Sequence, residues 1–415
     1  MAIAEKAAHF PWIILLVAGM AQLGNALAGQ GIAPLAPLIQ PELGLSKVQI
    51  GIFSSGFFIG SWGVLLIGGA LIDRFGVRRM VSLGQAIIGI SMLSMMATTS
   101  YSQAVVVMML AGLGGGIVMP GTTKAISEWF SARARGTAMG LKQSAVPFAG
   151  VITASTLPTI GLVMGWRAAV TITGAVIAAG GLITLLYYKD APRKSKAAEP
   201  RAKFRDGLRE TIRNTMVWRV SVIGLLLSTV QLGLTAYLAL YFKEIILLAT
   251  IPDETARIVA AGGYLALCQA GGIFGRVFWG WFSDKFLQGR RLVVMATIAA
   301  VSALMSVVIS LGVIGYPVWF LVGVVFVYGV TAIGWNGLQH VLITEVVGQK
   351  YAGTGVGLSM TMSNFGVIVG PPLFGFVADM SGSYQLSWLF LACLSTVSCI
   401  VAIFTIKREG AIGEA

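Results

Sequence analysis

Twelve stretches of about 20 mainly apolar residues run through this chain, each long enough to cross the hydrocarbon core of a bilayer. They lie near 11–36, 48–71, 80–99, 103–127, 136–160, 167–188, 216–242, 257–282, 292–313, 317–343, 352–377 and 386–406. Lipid offers no hydrogen bonds, so a spanning segment of this kind must satisfy its own backbone as an α-helix. The expected fold class is therefore all-α and integral to the membrane. The supply of charge agrees. Only 11% of the 415 residues are charged, against about 25% in a soluble domain. Two or three soluble domains could not be covered by so few charges, and disorder, collagen and a disulfide scaffold are excluded on composition too. The first stretch is too long for a signal-peptide core and lacks a basic start and a small-residue cleavage site, so it reads as a retained helix. Cys268, Cys393 and Cys399 fall within apolar stretches and read as packing residues.

The net charge of +13 would suggest nucleic acid in a soluble protein. Here it gives topology, because Lys and Arg gather in cytoplasmic loops. With the N-terminus inside, the inner segments hold Lys6; Arg74, Arg78 and Arg79; Arg133 and Arg135; nine basic residues between 189 and 213; Lys285, Arg290 and Arg291; Lys350; and Lys407 and Arg408. The outer segments hold only Lys47, Arg167, Lys243 and Arg257. Both termini are expected in the cytoplasm, and no nucleic-acid partner is expected.

The polar stretch 189–215, with Pro192 and Pro200, divides the spans six and six and reads as a basic cytoplasmic linker. The halves repeat. Gln22-Leu23-Gly24 returns as Gln231-Leu232-Gly233, offset by 209; Gly69 to Arg74 returns as Gly280 to Lys285, offset by 211; Gly136 to Leu141 returns as Gly353 to Leu358, offset by 217. Parallel repeats about a midplane site are a transporter architecture. The expected organisation is a six-helix bundle over 1–188, the linker, and a second bundle over 216–415.

Between spans two and three, Gly69-x-x-x-Asp73-Arg74-x-Gly76-x-Arg78-Arg79 closely resembles the signature loop of the major facilitator superfamily. A degenerate copy, Gly280-x-x-x-Asp284-Lys285 followed by Arg290-Arg291, lies between spans eight and nine, as in that family. The resemblance covers the whole chain. It implies two pseudo-symmetric six-helix bundles working by alternating access, and it implies that Gly69, Asp73, Arg74, Arg78, Asp284 and Lys285 belong to a conformational latch. A carboxylate near a helix N-terminus is favoured in its own right.

Every acidic residue lies in a loop, in a tail or at a span end, yet Lys124, Lys142 and Arg276 lie inside spans. An intramembrane ionisable residue is a functional hypothesis by default. At 1.5 Å per residue, their depths below the cytoplasmic boundary are roughly 8, 10 and 12 Å. Left without a deep anion they would be costly, and an anionic substrate is the simplest counter-ion. Lys124 has an alternative in Glu128, one helical turn on. Lys142 and Gln143 precede Pro147 in a polar, interrupted helix. Arg276 follows Gly271, Gly272 and Gly275, which leave room for a guanidinium that can grip a carboxylate bidentately, and Gln269 shares its face.

Gly275-Arg276-x-x-x-Gly280 with Ser283-Asp284 is similar to span eight of the monocarboxylate and oxalate:formate carriers, where an arginine at this place binds the substrate carboxylate. Lys124-x-x-x-Glu128-Trp129-Phe130 followed by Arg135-Gly136-x-Ala138-Met139-Gly140-x-Lys142-Gln143 is similar to cyanate-permease-like and organic-anion permeases. The chain departs from these patterns at Gly272, where animal monocarboxylate carriers place an acid. It has no lysine in span eleven and no arginine in span two.

The same resemblance makes spans one, four, seven and ten line the cavity. That adds Gln22 and Asn25, Gln231, Tyr237 and Tyr241, Trp335 and Asn336, and Asn364 in span eleven. Such residues can equally tie helices together. His340 and His9 lie far apart in the sequence and suggest no metal centre. There is no phosphate-binding Gly-x-x-x-x-Gly-Lys-Ser/Thr loop. The leading expectation is thus a monomeric secondary carrier of a small organic carboxylate in the cytoplasmic membrane, without cofactor and coupled to co-transported H+. Carriage of a small inorganic-type anion such as cyanate is the alternative; a membrane enzyme or a channel fits less.

Overall fold

Helix after helix follows from the apolar runs. In the computed structural model, which describes residues 2–190, 204–312 and 316–413, twelve helices are long and apolar enough to cross a membrane. They are Pro11–Leu43, Lys47–Leu65, Val77–Ala97, Tyr101–Trp129, Ala134–Met164, Trp166–Tyr187, Thr215–Ile246, Glu254–Phe286, Arg291–Ser310, Val318–Gly348, Thr354–Ser381 and Tyr384–Ile406. These are spans one to twelve below. No strand occurs among the described residues. Of the linker, 191–203, with both prolines, lies outside the described residues; the rest includes a short helix, Phe204–Arg213.

Polar side chains cap the helix starts. The Ser100 hydroxyl accepts from the Gln103 amide, Asn214 Oδ1 from Met216, and Asp253 Oδ2 from Ala256. Two spans are broken. Span one bends at Gly31, between helices Ala2–Gln30 and Ile32–Leu43. Span ten stops at Ala332 and restarts at Asn336.

The chain forms two compact units, one holding Met1–Leu45 and Ile52–Lys194, the other Ser46–Gly51 and Ser195–Ala415. In the first, span one packs on spans four, five and six, and span three on four and six. In the second, span seven packs on span eleven, span nine on span twelve, and span eight on span ten.

Small residues let membrane helices approach to backbone contact, and the sequence repeat reappears in how they do so. In the first unit a Cβ on Gly60 would strike the Met109 carbonyl, and one on Gly112 the Phe57 carbonyl. In the second, Gly271 faces the Phe326 carbonyl and Gly329 the Cys268 carbonyl in the same way. Span two thus maps on span eight at an offset of 211, and span four on span ten at 217.

Candidate functional site

Span five carries Lys142 into the interior of the first unit, where it is 2% exposed. Its Nζ donates to Thr123 Oγ1 at 2.8 Å, and the Thr123 hydroxyl donates to the Met119 carbonyl at 3.0 Å. Among the described residues no carboxylate pairs with Lys142. Thr122, beside Thr123, donates to Gln22 Oε1 at 3.0 Å and so ties span four to span one. Asn25 is buried one turn further along span one, and its Oδ1 has no hydrogen-bond partner among the described residues. Gln30 Nε2 donates to the Val146 carbonyl at 2.7 Å, linking spans one and five. Pro147 has no amide hydrogen, so the carbonyl of partly buried Gln143 loses its helical donor.

The repeat shows what is particular to Lys142. An offset of 217 carries Lys142 to Ser359 and Thr122 to Gln339. In the second unit Gln339 Nε2 donates to Ser359 Oγ at 2.9 Å, again joining the two corresponding spans. Both halves use a polar tie between these spans, buried in the second half and part-buried in the first, where exposed Thr123 meets the charge of buried Lys142. Thr123, Gln339 and Ser359 escaped the sequence reading, although the repeat offset was the signal that could have found them.

Lys124 requires a correction. It does not lie apart from anions: its Nζ is 2.7 Å from Asp73 Oδ1 and 3.7 Å from Glu128 Oε1. Counting residues along span four missed this because Asp73 comes from the end of the helix Lys47–Phe75, which carries span two. That helix is drawn against span four where a Cβ on Gly68 would lie 2.6 Å from the Gly116 carbonyl. Lys124 thus belongs with the signature loop rather than with the buried cations.

Around that loop, Gly69 is open to substitution, whereas Gly76 takes φ +87°, which favours glycine, and a Cβ on it would lie 2.9 Å from Asp190 Oδ2. The Arg78 amide donates to Asp190 Oδ1 at 3.0 Å and its Nε to the Leu185 carbonyl at 2.6 Å, so the loop is bound to the end of span six. Arg74 lies over the Phe75 ring at 5.2 Å. Beside this cluster Tyr188 is buried, and burial, reinforced by Glu128 and Asp190, pushes its phenol pKa up. In the second unit Asp284 pairs with Arg291 at 3.1 Å, Arg291 Nε donates to Glu345 at 2.8 Å, and Lys285 lies over the rings of Trp281 and Phe286. These partners of Asp73 and Asp284 lie within their own units.

Arg276 is partly buried on span eight, at the level where Gly275 meets the break in span ten: a Cβ on Gly334 would lie 2.8 Å from the Gly275 Cα. Gln269 is buried two turns away on the same helix. Across the break, Asn336 Nδ2 donates to Gln231 Oε1 at 3.1 Å, which ties span ten to span seven as Thr122 and Gln22 tie span four to span one. Asn364 is partly buried on span eleven.

Three aromatic candidates are packed against their neighbours. Tyr237 stacks on Phe374 at 4.5 Å and its hydroxyl donates to the Lys47 carbonyl. Tyr241 donates to the Ile309 carbonyl at 2.9 Å. Trp335 is fully buried in an apolar cluster, and its indole N–H donates to the Ala332 carbonyl at 3.1 Å. A spacing of four put both tyrosines on one face, and that face is the one turned into the unit.

No group of three or more His, Cys, Asp or Glu able to hold a metal occurs among the described residues. A cavity of about 410 Å³ between Ser94 and Val107 is lined without a charged side chain and lies apart from Lys142.

The sequence profile of the Major Facilitator Superfamily matches residues 18–368. The chain is 24% identical over 394 residues to the probable sulfoacetate transporter SauU of Cupriavidus necator, covering 90% of this chain and 88% of that protein. It is 20% identical over 400 residues to the hexuronate transporter of Bacillus subtilis, covering 94% and 93%. An uncharacterized MFS-type transporter of Mycobacterium tuberculosis, Rv2994, is 25% identical over 382 residues, covering 91% and 81%. Among solved structures, a bacterial homolog of the human lysosomal transporter Spinster, in its inward-facing and occupied conformation, superposes with a TM-score of 0.74 at 16% identity over 96% of this chain and 97% of that one. The nucleoside transporter NupG gives 0.74 at 16% identity over 95% and 99%.

Proposed function

The chain belongs to the Major Facilitator Superfamily, and on that premise we propose that it carries a small organic carboxylate anion across the cytoplasmic membrane by alternating access, together with a proton. It is a multi-pass membrane transporter and not an enzyme. One observation carries the substrate reading: Lys142 is a buried ammonium whose described partner is a neutral hydroxyl. A buried charge is stable only when paired or solvated, so an anion entering at Lys142 would gain a charge-assisted hydrogen bond. The ammonium has three donors, of which Thr123 takes one.

Relatives support an organic anion. Their names specify sulfoacetate, hexuronate, galactarate/D-glucarate and L-galactonate transport. Arg276 is the proposed carboxylate anchor, with Gln269, Gln231, Asn336 and Asn364 in the second unit and Gln22, Asn25 and Gln143 in the first as the neutral polar set. The proposed bundle limits are 1–188 and 216–415, joined by the linker, with both termini in the cytoplasm. Asp73, Arg74, Arg78, Asp284 and Lys285 are the proposed latch, and the Asp73–Lys124 pair adds Lys124 to it.

The test is counterflow into proteoliposomes loaded with one anion and challenged with labelled sulfoacetate, hexuronate, lactate, oxalate or cyanate. Saturable exchange of a carboxylate, accelerated by an inward proton gradient, is the expected result. Exchange of cyanate alone would replace the carboxylate reading by the small-anion one.

A further inference from the structure

The short helix Phe204–Arg213 ends one residue before span seven begins at Thr215. Asn214 joins them: its amide donates to the Glu210 carbonyl at 3.2 Å, and its side chain caps Met216 at 2.9 Å. The Trp218 indole donates to the Ile212 carbonyl at 2.7 Å and pins the helix to the first turn of the span. Connectivity therefore holds this helix at the bilayer surface, since two residues of helix rise only about 3 Å.

Its sequence has a direction. Arg209 and Arg213 stand four residues apart and form one stripe, with Glu210 on the next. Burial fixes the rotation: Thr211 is 1% exposed, whereas Ile212 is 45% exposed and Arg209 and Arg213 are exposed. Trp218, 38% exposed, continues this surface onto span seven. Two guanidinium groups, an aliphatic side chain and an indole are thus presented together where headgroup meets acyl chain.

We propose that this surface is a binding site for anionic phospholipid. The guanidinium groups of Arg209 and Arg213 hold the headgroup phosphate by charge-assisted hydrogen bonds, while Ile212 and Trp218 enter the interfacial layer, the level that tryptophan favours. The occupant is lipid rather than another protein because the bilayer is already at this level. It is anionic lipid because a basic segment at a membrane surface is drawn by the negative surface potential.

The experiment uses the full-length protein purified in detergent and titrated with phosphatidylglycerol or phosphatidylcholine, following Tm. Phosphatidylglycerol is expected to raise Tm by a few degrees, as a ligand of the folded state must, and phosphatidylcholine to do so much less. R209Q/R213Q keeps its lipid-free Tm and loses more than half of the shift, R209K/R213K keeps most of it, and roughly 0.5 M salt removes it by screening. An equal shift with phosphatidylcholine, or a full shift in R209Q/R213Q, would overturn the proposal. Should that variant not purify, the wild-type protein decides alone: a phosphatidylglycerol shift indifferent to salt overturns the proposal as well.

Discussion

Lys142 of span five donates a 2.8 Å hydrogen bond to Thr123 of span four, and the Thr123 hydroxyl in turn donates one to the Met119 carbonyl. A buried charge is thereby connected to a backbone carbonyl through one hydroxyl. Ser359 stands at the corresponding place in the second half and needs no such charge. The first half therefore carries a buried cation where the second half has a hydroxyl.

Removing the two partners should have opposite consequences. Thr123→Val leaves the ammonium without its acceptor and is expected to cost about 1–3 kcal/mol, seen as a lower Tm in detergent. Lys142→Met replaces the charge by an apolar chain of similar length and should leave Tm unchanged or higher. Uptake by Lys142→Met should nevertheless fall at least about tenfold, the size of one lost charge-assisted hydrogen bond of about 1.5–3 kcal/mol.

The Lys124–Asp73 pair should contribute little to stability, because the Asp73 side chain is 75% exposed. A double-mutant cycle with Lys124→Gln and Asp73→Asn is expected to give a coupling of about 0–1 kcal/mol. Transport should respond differently: the variants change the maximal rate while substrate KM stays within about twofold, as a latch outside the binding site requires. A KM effect equal to that of Lys142→Met would return Lys124 to the substrate site.

The glycine crossings give a paired expectation. Gly60→Leu and Gly271→Leu each drive a side chain into a facing carbonyl, and each should cost about 1–3 kcal/mol or more by overpacking. Gly323→Ala on span ten meets nothing within 4 Å and should be neutral or stabilising by up to about 1 kcal/mol, as alanine restricts the unfolded chain. Tm and purified yield of the three variants decide it.

Arg276 tests geometry against charge. Arg276→Lys keeps the charge but loses the planar fork, so KM for a carboxylate should rise while some transport survives. Arg276→Gln should abolish measurable uptake. Equal uptake by both variants and the wild-type protein would remove Arg276 from the anchor role.

Much of the fold was readable because each helix needs a long apolar run, and all twelve runs became helices close to their expected limits. The breaks at Gly31 and before Asn336 were not: Gly29, Gly31 and Pro34 mark the first and Gly334 and Gly337 the second, but glycine and proline are frequent in unbroken membrane helices too. The site was legible in a different way. Lys142 could be recognised as a charge deep in a span, because depth depends only on position along one helix. The fate of Lys124 could not be read, because it depends on a neighbouring helix bringing Asp73 within 2.7 Å. The surroundings of Tyr237 and Tyr241 were hidden for a related reason: spacing shows that two residues share a face, but only packing shows what that face meets. Gln339 and Ser359 teach the opposite, because the repeat offset relates them to Thr122 and Lys142 without any knowledge of packing.

The central claim is that a buried lysine serves as counter-ion for a carboxylate substrate. Its most direct test is equilibrium binding of a transported carboxylate to purified wild-type and Lys142→Met protein, measured by isothermal titration at one pH and low salt. The account predicts saturable binding to the wild-type protein and at least about tenfold weaker binding to Lys142→Met, with both proteins folded by Tm. Equal affinity in the two would contradict it.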